Sequence, residues 1–456
     1  MEWCCVLAYG LFLAVVSLVI KRQDKAEDYL LAGRRVTLPV FVASLVSTWY
    51  GGILGVGEYG YKHGLSNWLV FGVPYYVAAL LFAFLIAARA RRTGQFTIPD
   101  QLLRSYGPVP AYIGSVVVFV MTAPAAYVLQ LGILLHIALG WPLAGAVLAG
   151  TLFSVVYVVR GGLKGDLITD VVQFVLMFAG FGVLVAYAAL HGGLDFVKTH
   201  VPAAHLTWHG GRSPGYVLAW YFIALSTLVE PAFYQRCYAA RTERVARWGI
   251  VISVLFWMAF DLLTTTAALY ARALVPDLAD PVTAFPALGE QILPPLARGL
   301  FVVSLLAVVM STVDSYLFLG GITLGRDIVW RRRGGLDERS INRYTCAALL
   351  VTAVLAVVLA LWFRSVVDIW HDLGSVGTPA LLLPLALSFS ARLRPGSRTA
   401  ALMMLGGGGV ALAWLIWPSL PWYTTYPWGL EPIFPGLVVS LTIYLVGRQW
   451  RTPTLL

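Results

Sequence analysis

Residues Leu45–Glu58 read LVSTWYGGILGVGE. Ser47 and Thr48 fall near the midpoint of an apolar segment at about residues 38 to 57, and Gly51, Gly52, Gly55 and Gly57 follow them. Within a bilayer every backbone donor and acceptor needs a partner, so a glycine-broken helix is tolerated only where the freed groups meet protein, water or a ligand. The stretch therefore predicts a transmembrane helix that unwinds near its centre, with two hydroxyl side chains beside the break. Helix-packing glycines in an unbroken helix are the other reading.

The rest of the chain supports a membrane setting. Of 456 residues, 59% are hydrophobic and 12% charged, against about 25% charged in an ordinary soluble domain. That excludes a water-soluble enzyme. At about 20 apolar residues per crossing, the apolar content supplies roughly thirteen crossings and little else. A window of about 19 residues finds thirteen apolar segments between residues 4 and 447, among them 141–159, 166–190, 215–233, 299–325 and 366–390. The expected architecture is an all-α polytopic membrane protein with a single transmembrane domain, and the lipid bilayer is its solvent.

The net charge of +10 sits in short loops rather than on one water-exposed basic face, so no nucleic-acid partner is expected. Basic residues near the ends of spans are retained in the cytoplasm. Loops after odd-numbered segments hold 26 of the 32 Lys and Arg residues, and the alternate loops hold Lys62, Lys198, Arg212, Arg272, Arg298 and Arg364. The N-terminus is expected outside and the C-terminus inside, in the cytoplasmic (plasma) membrane. Met1-Glu2-Trp3 has no basic region before the first apolar run, which reads as a retained helix rather than a cleaved signal. Cys4, Cys5, Cys237 and Cys346 form neither a disulfide framework nor a CxxC spacing. His200, His205 and His209 are weak metal-ligand candidates, because Pro202 and Gly210-Gly211 interrupt their helical spacing.

Five segments after the first break, segment seven reads ALSTLVEPAFYQR, residues 224–236. Pro231 has no N–H and should leave the Thr227 carbonyl without its i+4 donor, with Glu230 beside the gap. Five spans is an odd number, so segments two and seven enter the membrane from opposite faces, as inverted repeats require. Segment nine, LLAVVMSTVDSYLFLGG, places Ser311 and Thr312 at about the depth of Ser47. Their hydroxyls reach back toward the Val308 carbonyl. The result is an oxygen-only cluster, which suits a hard cation; hydroxyls that merely pack against neighbours are the alternative. Asp314 and Ser315 continue that helical face by the i+3 and i+4 rule. Intramembrane acids are costly and are functional candidates by default. Asp170, in GGLKGDLITDVVQ (161–173), reads either as such a group or as a helix-start acid paired with a nearby base. Asp261, flanked by Thr264 and Thr265, reads either as a proton relay or as a buried acid bonded to a neighbouring helix.

Taken together, four stretches resemble the solute:sodium symporter family: EDYLLAGRR (27–35), GGLKGDLITDVVQ (161–173), EPAFYQRCYAAR (230–241) and MSTVDSYLFLGGITLGRDI (310–328). The resemblance covers about residues 25 to 390. It implies a LeuT-like inverted five-plus-five helix core with broken helices and an extra N-terminal helix. The division would be 1–37 for that helix and its loop, 38–190 and 215–390 for the two repeats, and 391–456 for peripheral helices. By the same resemblance, a sodium ion would bind the carbonyls of Ser47, Tyr50 and Val308 and the hydroxyls of Ser311 and Thr312. Asp170 would steer or release it, and Asp314 and Ser315 with Asp170 would form a second ion site in some members. The solute would lie at midplane beside Trp49, Thr48 and Ser226, with Tyr75 and Tyr76 as further candidates.

The expected function is sodium-coupled symport of a small organic solute by alternating access, with Na+ as coupling ion, no other cofactor or metal, and no obligate protein partner evident. A proton-coupled transporter using Asp170, Asp314 or Asp261 is one alternative. A transporter-like nutrient sensor is another, disfavoured because no output region follows Arg451. An intramembrane enzyme built on His371 and Asp372 is disfavoured because adjacent helical residues face different sides.

Overall fold

The computed structural model describes residues 2–20, 25–335, 337, 340–362, 366–419 and 425–449. The basic residues Lys21, Arg22 and Arg364 of the loop comparison, and Arg451, lie outside them. Among the described residues, eight helices are long and apolar enough to cross a membrane, or nine if the bent pair Leu38–Trp49 (α1) and Ile53–His63 (α2) is one span. Two shorter apolar helices, Trp3–Val19 and Ile433–Arg448, accompany them. Large apolar side chains such as Leu255, Leu262, Val351 and Val354 stand exposed on outer faces, an apolar surface that lipid rather than water would cover.

This count differs from the thirteen segments for identifiable reasons. The segments at 141–159 and 166–190 follow each other without a loop, as two helical arms within Leu143–Leu190 (together α3) that meet at a kink at Gly162. Gly162 breaks α3 with φ 54° and ψ −157°, a conformation that an L side chain rarely adopts. Two segments are the short helices just named. Another, at 366–390, is Val366–Ser388, which carries Asp368, His371, Asp372 and two internal prolines.

Segment seven also breaks, in a different way from the one expected. Its first helix, Pro214–Ile223, runs into a 3-10 stretch, Ala224–Val229, and then Glu230 turns extended at ψ 114° before Pro231–Ala239 (α4) begins. The Thr227 carbonyl is not orphaned: the Glu230 amide donates to it at 3.3 Å. The tighter i+3 pattern supplies the donor that proline withholds. α4 is followed by Glu243–Leu274 (α5), Pro295–Ile322 (α6) and Val366–Ser388 (α7).

α3 and α6 pack along each other, α1 packs on α3, α5 and α6, and the region where they meet holds the broken ends. Rings stack edge to face behind it: Phe181 sits 5.0 Å from Phe260, 5.0 Å from Phe285 and 5.4 Å from Phe301. The EDYLLAGRR stretch clamps the far end of α4. Ala32, Gly33 and Arg34 all take positive φ, which turns Val36 to accept from the Arg241 amide at 2.9 Å. Arg34 then donates to the carbonyls of Gly94, Gln95 and Tyr238.

Candidate ion and solute site

The break between α1 and α2 is held open by two close approaches. A Cβ on Gly51 would lie 2.1 Å from Thr312 Oγ1, and one on Gly52 would lie 1.6 Å from the Trp370 ring. Only glycine lets the backbone come this close to α6 on one side and α7 on the other. The freed Leu54 amide is not left bare, because Gln130 Oε1 accepts from it at 2.9 Å.

Against this break α6 lays a row of hydroxyls. Thr312 Oγ1 donates to the Thr48 carbonyl at 2.7 Å and lies 3.5 Å from the Val308 carbonyl. Ser311 Oγ is 3.0 Å from Ser47 Oγ and donates to Asp170 Oδ1 at 2.5 Å. Ser44 Oγ donates to the other oxygen of Asp170 at 2.5 Å. Tyr50 begins the break, and its hydroxyl donates to the Trp257 carbonyl at 3.0 Å. Ser47, Thr48, Val308, Ser311, Thr312 and Asp170 are thus one cluster, drawn from three helices more than a hundred residues apart.

Two charged members of the cluster escaped the sequence reading. Asp166 lies one turn before Asp170 on α3 and accepts from Ser315 Oγ at 2.7 Å. Arg236, fully buried on α4, reaches Asp166 at 3.2 Å and Asp170 at 3.5 Å. It also donates to Ser44, Thr48 and Ser315 at 3.2, 3.0 and 2.6 Å. The loop comparison counted Arg236 as a cytoplasmic loop charge; α4 continues the broken span inward and carries it into the core instead. Without it, the loops after odd-numbered segments hold twenty-five basic residues and the alternate loops six. A signal for Asp166 was available, since residues four apart share a helical face. Arg236 carried no such mark, because its carboxylate partners are 66 and 70 positions away.

With both acids ionised, two buried carboxylates against one buried guanidinium give the cluster a formal charge of −1. Leaving a buried charge uncompensated costs several kcal/mol, so this arrangement calls for one further positive charge, either a cation or a proton on one carboxylate. Asp314 does not join it. Although adjacent to Ser315, it is turned toward Ser154 and Tyr9, while Ser315 points at Asp166 and Arg236. A helix separates neighbours by about 100°, so Asp314 and Ser315 address different elements.

Beside the cluster opens a cavity of about 150 Å3. Thr48, Trp49, Tyr75 and Ser226 line it, together with Glu230, Asp261, Tyr127, Tyr316 and Trp370. Tyr76 stands one layer behind and hydrogen-bonds Asp261, which is the neighbouring-helix contact that the sequence allowed for that acid. Trp49 packs edge-on against Tyr75 at 5.4 Å and against Phe233 at 5.5 Å. Thr48 belongs to both places, with its hydroxyl and carbonyl in the cluster and its side chain on the cavity wall.

The other expected candidates lie apart. His205 Nε2 sits 2.9 Å from the Tyr61 carbonyl, His200 Nδ1 sits 2.8 Å from the Phe196 carbonyl, and His209 Nδ1 accepts from the Gly211 amide. Among the described residues no three His, Cys, Asp or Glu side chains come together to hold a metal. His371 and Asp372 do meet, contrary to expectation: Nδ1 lies 3.1 Å from Asp372 Oδ1, and Nε2 lies 2.9 Å from Glu431 Oε2. Flexible side chains bridge the angle that the backbone imposes.

The family model of the sodium:solute symporter family matches residues 29–390. The chain belongs to the sodium:solute symporter family. Members are transporters, not enzymes, so the His371–Asp372–Glu431 contact is no catalytic centre. This symporter-family chain is 25% identical to the sodium/pantothenate symporter of Escherichia coli (strain K12), over 93% of its own length and 91% of that protein's. It is also 25% identical to a sodium/proline symporter of Staphylococcus aureus, over 98% and 92%. Among solved structures, a substrate-bound, outward-open Na+-coupled sialic acid symporter superposes with TM-score 0.78 at 15% identity, covering 98% of this chain and 96% of that one. A nucleobase-cation-symport-1 family transporter in a closed conformation gives TM-score 0.61 over 94% of each chain. The fold is therefore that of a multi-pass integral membrane transporter.

Proposed function

We propose that this chain is a sodium-coupled symporter of a small organic solute in the cytoplasmic membrane, with thirteen crossings, an external N-terminus and an internal C-terminus. Residues 38–190 and 215–390 form its two inverted repeats. The observation that carries the reading is the buried oxygen cluster of charge −1 at the α1–α2 break. Ser47, Tyr50 and Val308 through carbonyls, and Ser311 and Thr312 through hydroxyls, would hold Na+, and Asp170 beside Ser311 supplies the attraction. Hard oxygen donors favour such an ion, and neutral first ligands allow it to leave again.

Arg236 already fills the space between Asp166, Asp170 and Ser315. That favours one sodium per cycle over a second ion at Asp170, Asp314 and Ser315. Coupling needs only that ion and solute stabilise the same conformation, since each then raises the other's affinity. Thr48 supplies the physical link, because α6 grips its carbonyl while its side chain borders the solute cavity. Pantothenate and proline, carried by the relatives, are the first solutes to assay.

The test needs no knowledge of the solute. A ligand that binds only the folded state raises apparent stability by mass action. The thermal midpoint of detergent-purified protein should rise in sodium chloride over potassium or caesium chloride at equal ionic strength, and the rise should vanish in the Ser311→Ala/Thr312→Ala double variant. A wild-type midpoint that follows pH and ignores sodium would favour proton coupling instead.

A further inference from the structure

The solute cavity holds two carboxylates and no cation. Among its described lining residues Glu230 and Asp261 are acidic, and none is Lys, Arg or His. The nearest guanidinium, that of Arg236, is committed to the ion cluster and does not line the cavity.

The two acids differ in what they have to spare. Asp261 is bonded by Tyr76. Glu230 stands at the N-cap of α4, where the helix dipole favours a negative charge. Both of its hydrogen bonds fall on Oε1, from the Tyr316 hydroxyl at 2.8 Å and the Ala232 amide at 3.4 Å. Both partners act as donors there, and among the described residues no hydrogen bond falls on Oε2 of this cavity-lining side chain. Aromatic faces continue from this point: Tyr316 lies 5.1 Å from Tyr127, which lies 6.2 Å from Trp370, which lies 6.5 Å from Phe71. A carboxylate framed by aromatic rings is the environment that binds an ammonium group, by charge and by cation–π attraction. A solute bearing a carboxylate would instead bring a further acid group beside Glu230 and Asp261, where the described lining offers no cation to pair with it.

We propose that the solute of this chain is a small organic cation without a carboxylate, its ammonium group held by Glu230 Oε2 and faced by Tyr127, Tyr316 and Trp370. This deepens the symport reading and rests on the same cavity, but it sets this chain apart from relatives whose named solutes carry a carboxylate.

Three matched pairs test it: L-prolinol with L-proline, phenethylamine with L-phenylalanine, and choline with glycine betaine. Each member is added to purified wild-type protein in sodium chloride, and again in potassium chloride, while the thermal midpoint is followed. At least one ammonium member should shift the midpoint, its carboxylate partner should not, and Glu230→Gln should weaken the shift at least tenfold in concentration while keeping the sodium shift. The retained sodium shift shows that the variant is folded. Carboxylate members that bind as well as their cations, a panel in which no cation binds, or an unchanged Glu230→Gln response would each overturn the assignment. Loss of the sodium effect in the wild type, with amine binding intact in potassium, would refute sodium coupling and leave this proposal standing.

Discussion

Asp170→Asn removes one negative charge and little else from the buried cluster. Asp170 Oδ1 lies 2.5 Å from Ser311 Oγ, so a cation resting on that hydroxyl feels the carboxylate across about 4 Å. At an effective dielectric of about 20 that interaction is about 4 kcal/mol. Arg236, 3.5 Å from Asp170, opposes part of it, and a net loss of about 2–4 kcal/mol corresponds to a sodium affinity on the order of 30- to 1,000-fold weaker. In a wild-type protein at 100 times its dissociation constant, sodium adds about 2.7 kcal/mol of stability. A hundredfold loss of affinity would reduce that to about 0.4 kcal/mol. The variant itself should fold, because Arg236 and Asp166 then form a neutral pair, and its midpoint in potassium should match or exceed that of the wild type. Sodium titrations followed by thermal unfolding read both quantities. An Asp170→Asn protein with unchanged sodium dependence would show that the carboxylate does not attract the ion and that the charge count at this site was misjudged.

Other consequences are equally open to measurement. Gly51→Ala places a methyl 2.1 Å from Thr312 Oγ1, so it should abolish the sodium-dependent rise in midpoint while Gly55→Ala, beyond the break, should leave most of it. Trp49→Ala removes an aromatic wall of the cavity and should weaken solute binding at least tenfold without altering sodium stabilisation; a silent variant would move the pocket elsewhere. Asp100, on the short helix Ile98–Tyr106 outside the membrane spans, is bonded by Arg326 and Arg331 at 3.1 and 2.5 Å. Burial alone would raise its pKa, yet the two guanidinium groups hold it below the usual carboxylate range. A depressed folded-state pKa contributes stability above the unfolded value near 4, and that contribution is lost as pH falls through the folded value. Asp100→Asn should therefore cost about 3–5 kcal/mol near neutral pH and flatten the loss of midpoint below about pH 4; equal acid sensitivity in both proteins would refute the assignment.

How much of this was legible in the sequence depended on how local the signal was. Gly51-Gly52 and Pro231 announce broken helices within a few residues, and Ser311-Thr312 show their depth by position in an apolar run, so the hydroxyl members of the cluster could be read directly. Its charges could not. Asp166 and Arg236 are 70 positions apart and come together only when the chain folds, and Arg236 looked like one more basic residue after a span. Glu230 was visible beside its proline, but its meaning comes from Tyr316, 86 positions away. The orientation of Asp314 illustrates the opposite error, in which a helical-face rule grouped it with Ser315 across an angle that the packed helix does not close. That the two segments on either side of Gly162 meet at a kink with no loop between them was invisible for a related reason, since hydropathy reports composition and not the path of the backbone.

The claim on which the rest depends is that the cluster of Asp166, Asp170 and Arg236 holds one monovalent cation and that the cation is sodium. Equilibrium binding of radioactive 22Na+ to the purified protein tests it most directly. One saturable site per chain, displaced by sodium but not by potassium and absent from Ser311→Ala/Thr312→Ala, is the expected result. Two sites per chain, or no saturable binding under conditions where the protein is folded, would contradict it.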